Sequence, residues 1–249
     1  MIVLKTSKEL ALMREAGRIS HLALMAGVKA VAPGKTTMEI NQVIHDFIVS
    51  HGAKPSFLGY GGFPAAACIS INEEVIHGIP SKHRKIKEGD IVSIDTGAIY
   101  QGYHGDNAFT VAAGTPAPEV AQLLEVTQKC LELGIAQALP GNRLGDIGFA
   151  IQSYAESFGY GVVKEYVGHG IGTEMHQDPE VPNYGVPGKG RRLSSGMTLA
   201  IEPMINLKGA GVKQLSDGWT VVTHSGLPSA HFEHTVAITD NGPVILTRP

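Results

Sequence analysis

The sequence predicts an α+β fold built from two helix–helix–strand halves that are related by a pseudo-twofold axis. In the first half, Pro33-Gly34 ends a stretch whose apolar residues have helical spacing. A capping box at positions 36–39 opens a second helical pattern, which Gly52 ends. Adding 107 to these positions gives Pro140-Gly141 and Gly159, again with a helical pattern between them. Because these helix-ending residues recur at a constant offset, they indicate an internal duplication.

The predicted strands follow the same repeat. The offset of 107 carries the β-like segment 89–95 onto segment 196–202. Between helices and strands, His77-Gly-Ile-Pro80 in the first half corresponds to His169-Gly-Ile-Gly172 in the second, at an offset of 92. We therefore expect one domain, residues 1–249, with halves at about 7–112 and 116–249 and its chemistry at their junction.

Composition and charge indicate a water-soluble globular protein without the basic surface typical of nucleic-acid binding. Of the 249 residues, 43% are hydrophobic and 17% charged, and the net charge is −3. The basic run at 82–87 has acidic neighbours and is typical of a solvated loop. The N-terminal segment has no apolar core, and no apolar run approaches ~18 residues, which argues against secretion and membrane insertion. With only two cysteines, Cys68 and Cys130, the chain is expected to be cytoplasmic and free of disulfides.

Two aspartates lie on a predicted β-hairpin. Residues 91–96 alternate as in a strand, and residues 103–111 form a partner strand. A hairpin centred on Tyr100-Gln101 would place Asp95 directly opposite Asp106, with Cβ atoms ~5 Å apart. Both carboxylates would then face the same side, where a divalent cation would relieve their repulsion.

Two further acids follow or interrupt apolar strands. Glu202 comes directly after the apolar segment 198–201, and Glu233 lies in the strand-like segment 231–238. An ionised acid is costly to bury there unless it is paired or bound to metal. His169, flanked by glycines, adds an imidazole. Four carboxylates and one imidazole suit two first-row divalent ions such as Mn²⁺, Fe²⁺, Co²⁺ or Zn²⁺.

Five motifs carry a family resemblance. In chain order they are Ser93-Ile-Asp95 with Asp106 eleven residues later, Gly168-His-Gly-Ile-Gly172, Ile201-Glu-Pro-Met204, Asp217-Gly-Trp-Thr220 and Phe232-Glu-His-Thr235. From about residue 7 to residue 248, the chain resembles the type I methionine aminopeptidases of the pita-bread fold. The resemblance implies a curved, mostly antiparallel sheet and removal of the initiator methionine. It also implies two metal ions, Asp106 and Glu233 as bridging ligands, and a ligand set of Asp95, Asp106, His169, Glu202 and Glu233.

The resemblance also implies roles in metal-assisted hydrolysis. Glu202 would act as general base and then as general acid, His176 would hydrogen-bond the developing oxyanion, and His77 would contact the scissile amide nitrogen. A methionine pocket is implied around Phe57, Tyr60, Phe63, Cys68, Met175 and Trp219. For Phe57 and Met175 a plain core position stays open. Gly97 departs from the family, where a hydroxyl-bearing residue is common.

The expected partners are N-terminal methionyl peptides and nascent chains, with transient contact to the ribosome and a monomeric state. Two alternatives stay open. A prolidase or Xaa-Pro aminopeptidase uses the same ligands but usually carries another N-terminal domain. A non-catalytic pita-bread adaptor protein usually loses ligands and gains basic surface, whereas all five ligand positions are filled here.

Overall fold

Four α-helices account for the helical part of the computed structural model, which describes residues 2–248. Their bounds are α1 Ser7–Ala30, α2 Thr37–Ser50, α3 Pro118–Ala136 and α4 Leu144–Ser157, with a short 3₁₀ turn at Tyr60–Gly62. The predicted capping box is confirmed, because the Thr36 hydroxyl accepts from the Glu39 N–H while the Glu39 carboxylate accepts from the Thr36 N–H. Met1 and Pro249, the ends of the predicted domain, lie outside the described residues.

The strands form two principal sheets and two small ones. In the first half the strands are β1 Lys54–Pro55, β2 Ala67–Ile71, β3 Glu74–Ile76, β4 Ile91–Tyr100 and β5 Tyr103–Ala112. In the second half they are β6 Gly161–Val162, β7 Gly168–Gly170, β8 Gln177–Val181, β9 Thr198–Ile201, β10 Met204–Asn206, β11 Val212–Gln214, β12 Val221–Thr223, β13 Ser229–His231, β14 His234–Thr239 and β15 Gly242–Ile245. One principal sheet contains β1, β4, β2 and β5, and the other has the order β15-β14-β9-β7-β8.

The two principal sheets meet where β5 runs beside β14. Ala108 on β5 and Glu233 beside β14 exchange backbone hydrogen bonds, with N···O distances of 3.0 and 3.4 Å. Helices α1 and α2 pack together beside the first principal sheet, and α3 and α4 pack together in the second half, chiefly against the small sheet β13-β10-β6. All strand pairs are antiparallel. The predicted α+β class is confirmed.

Contacts inside the two helix pairs recur at the predicted offset. At Gly27 on α1, a Cβ atom would come within 2.7 Å of the Ile44 side chain on α2. At Gly134 on α3, it would come within 2.8 Å of the Ile151 side chain on α4. Gly27 and Gly134 are 107 residues apart, and so are Ile44 and Ile151. The repeated close approach supports the internal duplication, while the exact division into halves stays a prediction.

The hairpin register differs from the expected one by two residues. Asp95 pairs with Ala108, and Asp106 pairs with Gly97, so the two aspartates are diagonal neighbours and not direct partners. Because successive side chains alternate between the faces of a strand, a shift of two leaves both carboxylates on the same face. The predicted pairing was wrong, but the predicted common face is correct.

The turn explains this shift. Tyr100 pairs with Tyr103, so the connection consists of Gln101 and Gly102, with φ of 47° and 85°. A two-residue type I′ turn requires positive φ at both central positions, and glycine is favoured at the second. The hairpin is therefore centred one residue position later than we expected.

Each half has its own hydrophobic core, and each core contains or adjoins one cysteine. Cys68 and Cys130 are both buried free thiols, as expected. Within residues 2–248, none of the helices is both long and apolar enough to cross a membrane.

Candidate metal centre and active site

All five predicted metal ligands line one pocket, at the place where the two principal sheets meet. The first sheet supplies the two aspartates and the second supplies the remaining three side chains. In chain order they are Asp95 on β4, Asp106 on β5, His169 on β7, Glu202 directly after β9 and Glu233 directly before β14.

The donor atoms are spaced for a shared ion. Ligand atoms of Asp106, His169 and Glu233 all lie within 4.8 Å of one another. The His169 Nε2 atom is 3.8 Å from Asp106 Oδ2 and 3.6 Å from Glu202 Oε1, too far for a hydrogen bond. Two ligands that each lie about 2.1 Å from an ion are at most about 4.2 Å apart. These separations fit an ion between the donor atoms.

Several carboxylate oxygens in the pocket have no donor. Asp95 Oδ1, Asp106 Oδ1 and Glu233 Oε1 are buried and make no hydrogen bond. Buried polar atoms are satisfied in nearly all native structures, so an unpartnered group calls for an explanation. Divalent cations bound by these oxygens would supply it, and the residues therefore fit the metal ions that the resemblance implies.

The pKa values of the acids are also raised, and a bound cation would lower them again. Burial raises the pKa of Asp106 to about 7. Burial and neighbouring carboxylates raise the pKa values of Asp95, Glu202 and Glu233 well above the usual range. Without a counter-charge the cluster cannot be fully ionised at neutral pH. A pair of divalent ions would neutralise four carboxylates.

The His169 imidazole is prepared to act as a ligand. Its Nδ1 atom lies 2.9 Å from the Gly170 carbonyl oxygen, and because a carbonyl only accepts, Nδ1 must carry the hydrogen. Burial lowers the pKa of His169 to about 3, so the ring is neutral and Nε2 presents a lone pair to the carboxylates. At Gly168, a Cβ atom would collide with the Ala200 carbonyl oxygen. The glycines thus permit the close strand packing that places the imidazole.

Hydrogen bonds outside the ligand set fix the strands that carry it. The Thr235 hydroxyl accepts from the Asp106 N–H at 3.0 Å and donates to the Asp106 carbonyl oxygen at 2.8 Å, across the junction of the sheets. The Asn183 side chain donates to the Glu202 carbonyl oxygen at 3.0 Å. Such supporting contacts orient metal ligands.

The two further predicted histidines line the same pocket. His77 lies between the edges of Tyr166 and Trp219, at ring-centroid distances of 5.9 and 6.3 Å, and burial lowers its pKa to about 4. His176 lies at the pocket rim, with its ring 4.2 Å from that of His169, and partial burial lowers its pKa. Both imidazoles are therefore neutral at pH 7.

An apolar cluster forms the end of the pocket next to the acids. It contains Phe57, Phe63, Ala65, Cys68 and Met175, with Trp219 packed against it. Phe63 meets the Trp219 ring edge-on at 5.1 Å. The Asp217 carboxylate accepts from the Trp219 and Thr220 N–H groups at 2.9 Å, which fixes the turn that carries the indole. Phe57 and Met175 are buried and also line the pocket, so the core and pocket interpretations coincide.

Sequence reasoning did not single out His231, Tyr166, Val167 or Ile76. The His231 Nε2 atom is buried without a partner, 3.7 Å from Glu202 Oε2. A usable signal existed, because His231 is two residues before Glu233 and alternation puts both on one face. Tyr166, Val167 and Ile76 line the pocket without any such pattern.

The structure explains why Gly97 carries no side chain. A Cβ atom there would lie 2.9 Å from the Ser56 Cβ and Oγ atoms. The Ser56 hydroxyl is in turn 3.0 Å from His104 Nδ1. Ser56 therefore occupies the space, and supplies a hydroxyl, next to the position where the family commonly has a hydroxyl-bearing residue.

The fold and the pocket together define a metallopeptidase, and comparisons with known proteins agree. The family model for metallopeptidase family M24 matches residues 11–240. Methionine aminopeptidases from Clostridium acetobutylicum and Bacillus subtilis are 57% and 52% identical, covering 99% and 100% of both chains. The crystal structure of a methionine aminopeptidase from Thermotoga maritima, 47% identical, superposes with a TM-score of 0.98 and full coverage of both chains.

The chain belongs to metallopeptidase family M24. The pita-bread fold and the resemblance to the type I methionine aminopeptidases, both expected from the sequence, are confirmed.

Proposed function

We propose that this chain removes the initiator methionine from nascent proteins and peptides by hydrolysing their first peptide bond. One observation carries the proposal: a carboxylate–imidazole cluster and an apolar slot share one pocket. The slot suits an unbranched thioether side chain, which packs well against aromatic edges and sulfur. The names of its relatives, methionine aminopeptidases over their full lengths, point to the same activity.

Two divalent ions, Co²⁺, Mn²⁺, Fe²⁺ or Zn²⁺, would be held by the five side chains. These side chains are Asp95, Asp106, His169, Glu202 and Glu233. When bound, the ions supply Lewis acidity to the scissile carbonyl and make water a stronger acid.

Three side chains would act on the substrate. The Glu202 carboxylate takes a proton from the attacking water and returns it to the leaving amine. His176 donates a hydrogen bond to the oxygen on which negative charge develops, and His77 contacts the scissile amide nitrogen. The neutral state of both imidazoles supports these roles, because a neutral ring offers one donor and one acceptor.

Peptide turnover tests the function against its alternatives. We expect a Met-Ala-Ser peptide to be cleaved after methionine and an Ala-Pro peptide to be left intact. A prolidase-like enzyme would show the reverse preference, and an adaptor protein would cleave neither. Preferential release of alanine from Ala-Pro would therefore overturn the proposal.

The second residue of the substrate is expected to be small. His77, Tyr166 and Trp219 line the same pocket as the acids, and the His77 ring contacts both aromatic rings. We expect Met-Ala peptides to be hydrolysed at least roughly tenfold faster in kcat/KM than Met-Lys peptides, a difference of about 1.4 kcal/mol. Equal rates in a matched peptide pair would show that this rim does not select.

The cellular setting follows from the substrate. We propose that the chain acts in the cytoplasm as a monomer, with transient contact to the ribosome when nascent chains emerge. Analytical ultracentrifugation at micromolar concentration, in the presence and absence of ribosomes, tests the last two points.

A further inference from the structure

Two neighbouring histidines in the pocket, with ring centroids 4.2 Å apart, use the same ring nitrogen for opposite kinds of partner. His169 Nδ1 lies 2.9 Å from a backbone carbonyl oxygen, which only accepts hydrogen bonds. His176 Nδ1 lies 2.7 Å from the Tyr60 hydroxyl, which can donate. Among residues 2–248, neither Nε2 atom has a hydrogen-bond partner, and both residues line the pocket. Whether the partner of Nδ1 accepts or donates a hydrogen bond therefore decides whether Nε2 carries a lone pair or a hydrogen.

We propose that Tyr60 is a positioning residue that holds His176 in the Nε2–H tautomer, opposite to the tautomer of His169. His169 then offers a lone pair to a metal ion, while His176 offers an N–H group to the substrate. The inference rests on the proposed function, in which His176 donates to the developing oxyanion. It adds the residue that makes this donation possible.

The direction of the Tyr60–His176 hydrogen bond follows from the alternatives. If Nδ1 donated to Tyr60, the His176 Nε2 atom would present a lone pair, which repels an oxyanion. Among residues 2–248, the Tyr60 hydroxyl has no other hydrogen-bond partner that would take its proton. Partial burial also raises the pKa of Tyr60, so the phenol keeps its hydrogen.

The backbone around Tyr60 is shaped to hold the ring at the rim despite its exposure. The Tyr60 N–H donates to the Phe57 carbonyl oxygen at 3.0 Å, and the Phe63 N–H donates to the Tyr60 carbonyl oxygen at 2.9 Å. Gly59 and Gly61 have φ of 84° and 55°, which only glycine adopts readily. The turn thus restricts where the hydroxyl can lie.

Substitution Tyr60→Phe tests the proposal, because it removes the hydroxyl and keeps the ring. We expect kcat to fall by about 2- to 13-fold, the effect of one neutral hydrogen bond, with KM and metal content unchanged. In the His176→Ala background, the same substitution should lower kcat by less than twofold. Tyr160→Phe is the matched control, since it removes a phenol that bonds Gln122 at 2.9 Å outside the pocket, and it should leave kcat unchanged.

The nitrogen resonances of His176 supply a readout that a purely structural role would not change. In ¹⁵N spectra of the Zn²⁺-loaded enzyme, assigned by their loss in His176→Ala, Nδ1 should be pyridine-like and Nε2 pyrrole-like. Tyr60→Phe should shift both towards the average of the two tautomers. A pyrrole-like Nδ1 in the wild type, or full additivity of the two substitutions, overturns the inference. If His176→Ala leaves kcat unchanged, the proposed role of His176 fails instead, and the spectra still decide the tautomer.

Discussion

Removing divalent ions with a chelator should abolish turnover, and Mn²⁺ or Co²⁺ should restore it. Within residues 2–248, Asp95 Oδ1, Asp106 Oδ1 and Glu233 Oε1 have no donor, and no Lys or Arg lines the pocket to offset the negative charge. Divalent cations from solution would satisfy them. Adding metal to chelated protein should also raise Tm, because a ligand at 100 times its Kd stabilises the folded state by about 2.7 kcal/mol. Full activity in a sample confirmed to be metal-free would exclude the two-ion mechanism.

The variant His169→Ala separates loss of metal from other damage. Without its Nε2 lone pair, we expect reduced metal content, a smaller rise in Tm on adding Mn²⁺, and no restoration of turnover at Mn²⁺ concentrations that saturate the wild type. His83→Ala is the matched control, because His83 is exposed and lies outside the pocket. It should behave as the wild type in all three measurements. Normal metal content in His169→Ala would show that His169 is not a ligand.

Helix boundaries and the candidate ligands were predictable because both depend on local signals. The capping box at Thr36 and Glu39 locates the start of a helix, and glycines that follow the apolar patterns locate helix ends to within a few residues. The acids were conspicuous because Glu202 directly follows an apolar segment and Glu233 lies within one, where an unpaired charge is costly. Alternation also placed Asp95 and Asp106 on one face although the register was wrong. Each of these inferences needs only a short stretch of chain.

The remaining features depend on how distant segments meet. The register of the hairpin was set by the conformation of Gln101-Gly102, a detail that strand alternation does not contain. The junction of the sheets includes the pairing of Ala108 with Glu233, 125 residues apart. Tyr166 reaches the pocket from a loop with no motif of its own. Tertiary packing decides such contacts, and a single sequence carries no local record of them.

The substitution His176→Ala should lower kcat by about 10²–10³ and leave KM and metal content nearly unchanged. The reason is that a donor aimed at a developing oxyanion acts mainly in the transition state, and removing one such donor elsewhere has an effect of this size. His176 is placed for this role, since its ring lies 4.2 Å from that of His169 while its Nδ1 atom is bonded to Tyr60 and not to a carboxylate.

Metal analysis and steady-state kinetics on the same His176→Ala sample distinguish three outcomes. A fall in kcat with full metal content supports the role as oxyanion donor. An emptied metal site would make His176 a ligand and the assigned set of five wrong. An unchanged kcat would make it a loop residue at the rim. His45→Ala, which removes a half-buried imidazole on α2, controls for the loss of a histidine elsewhere and should change neither quantity.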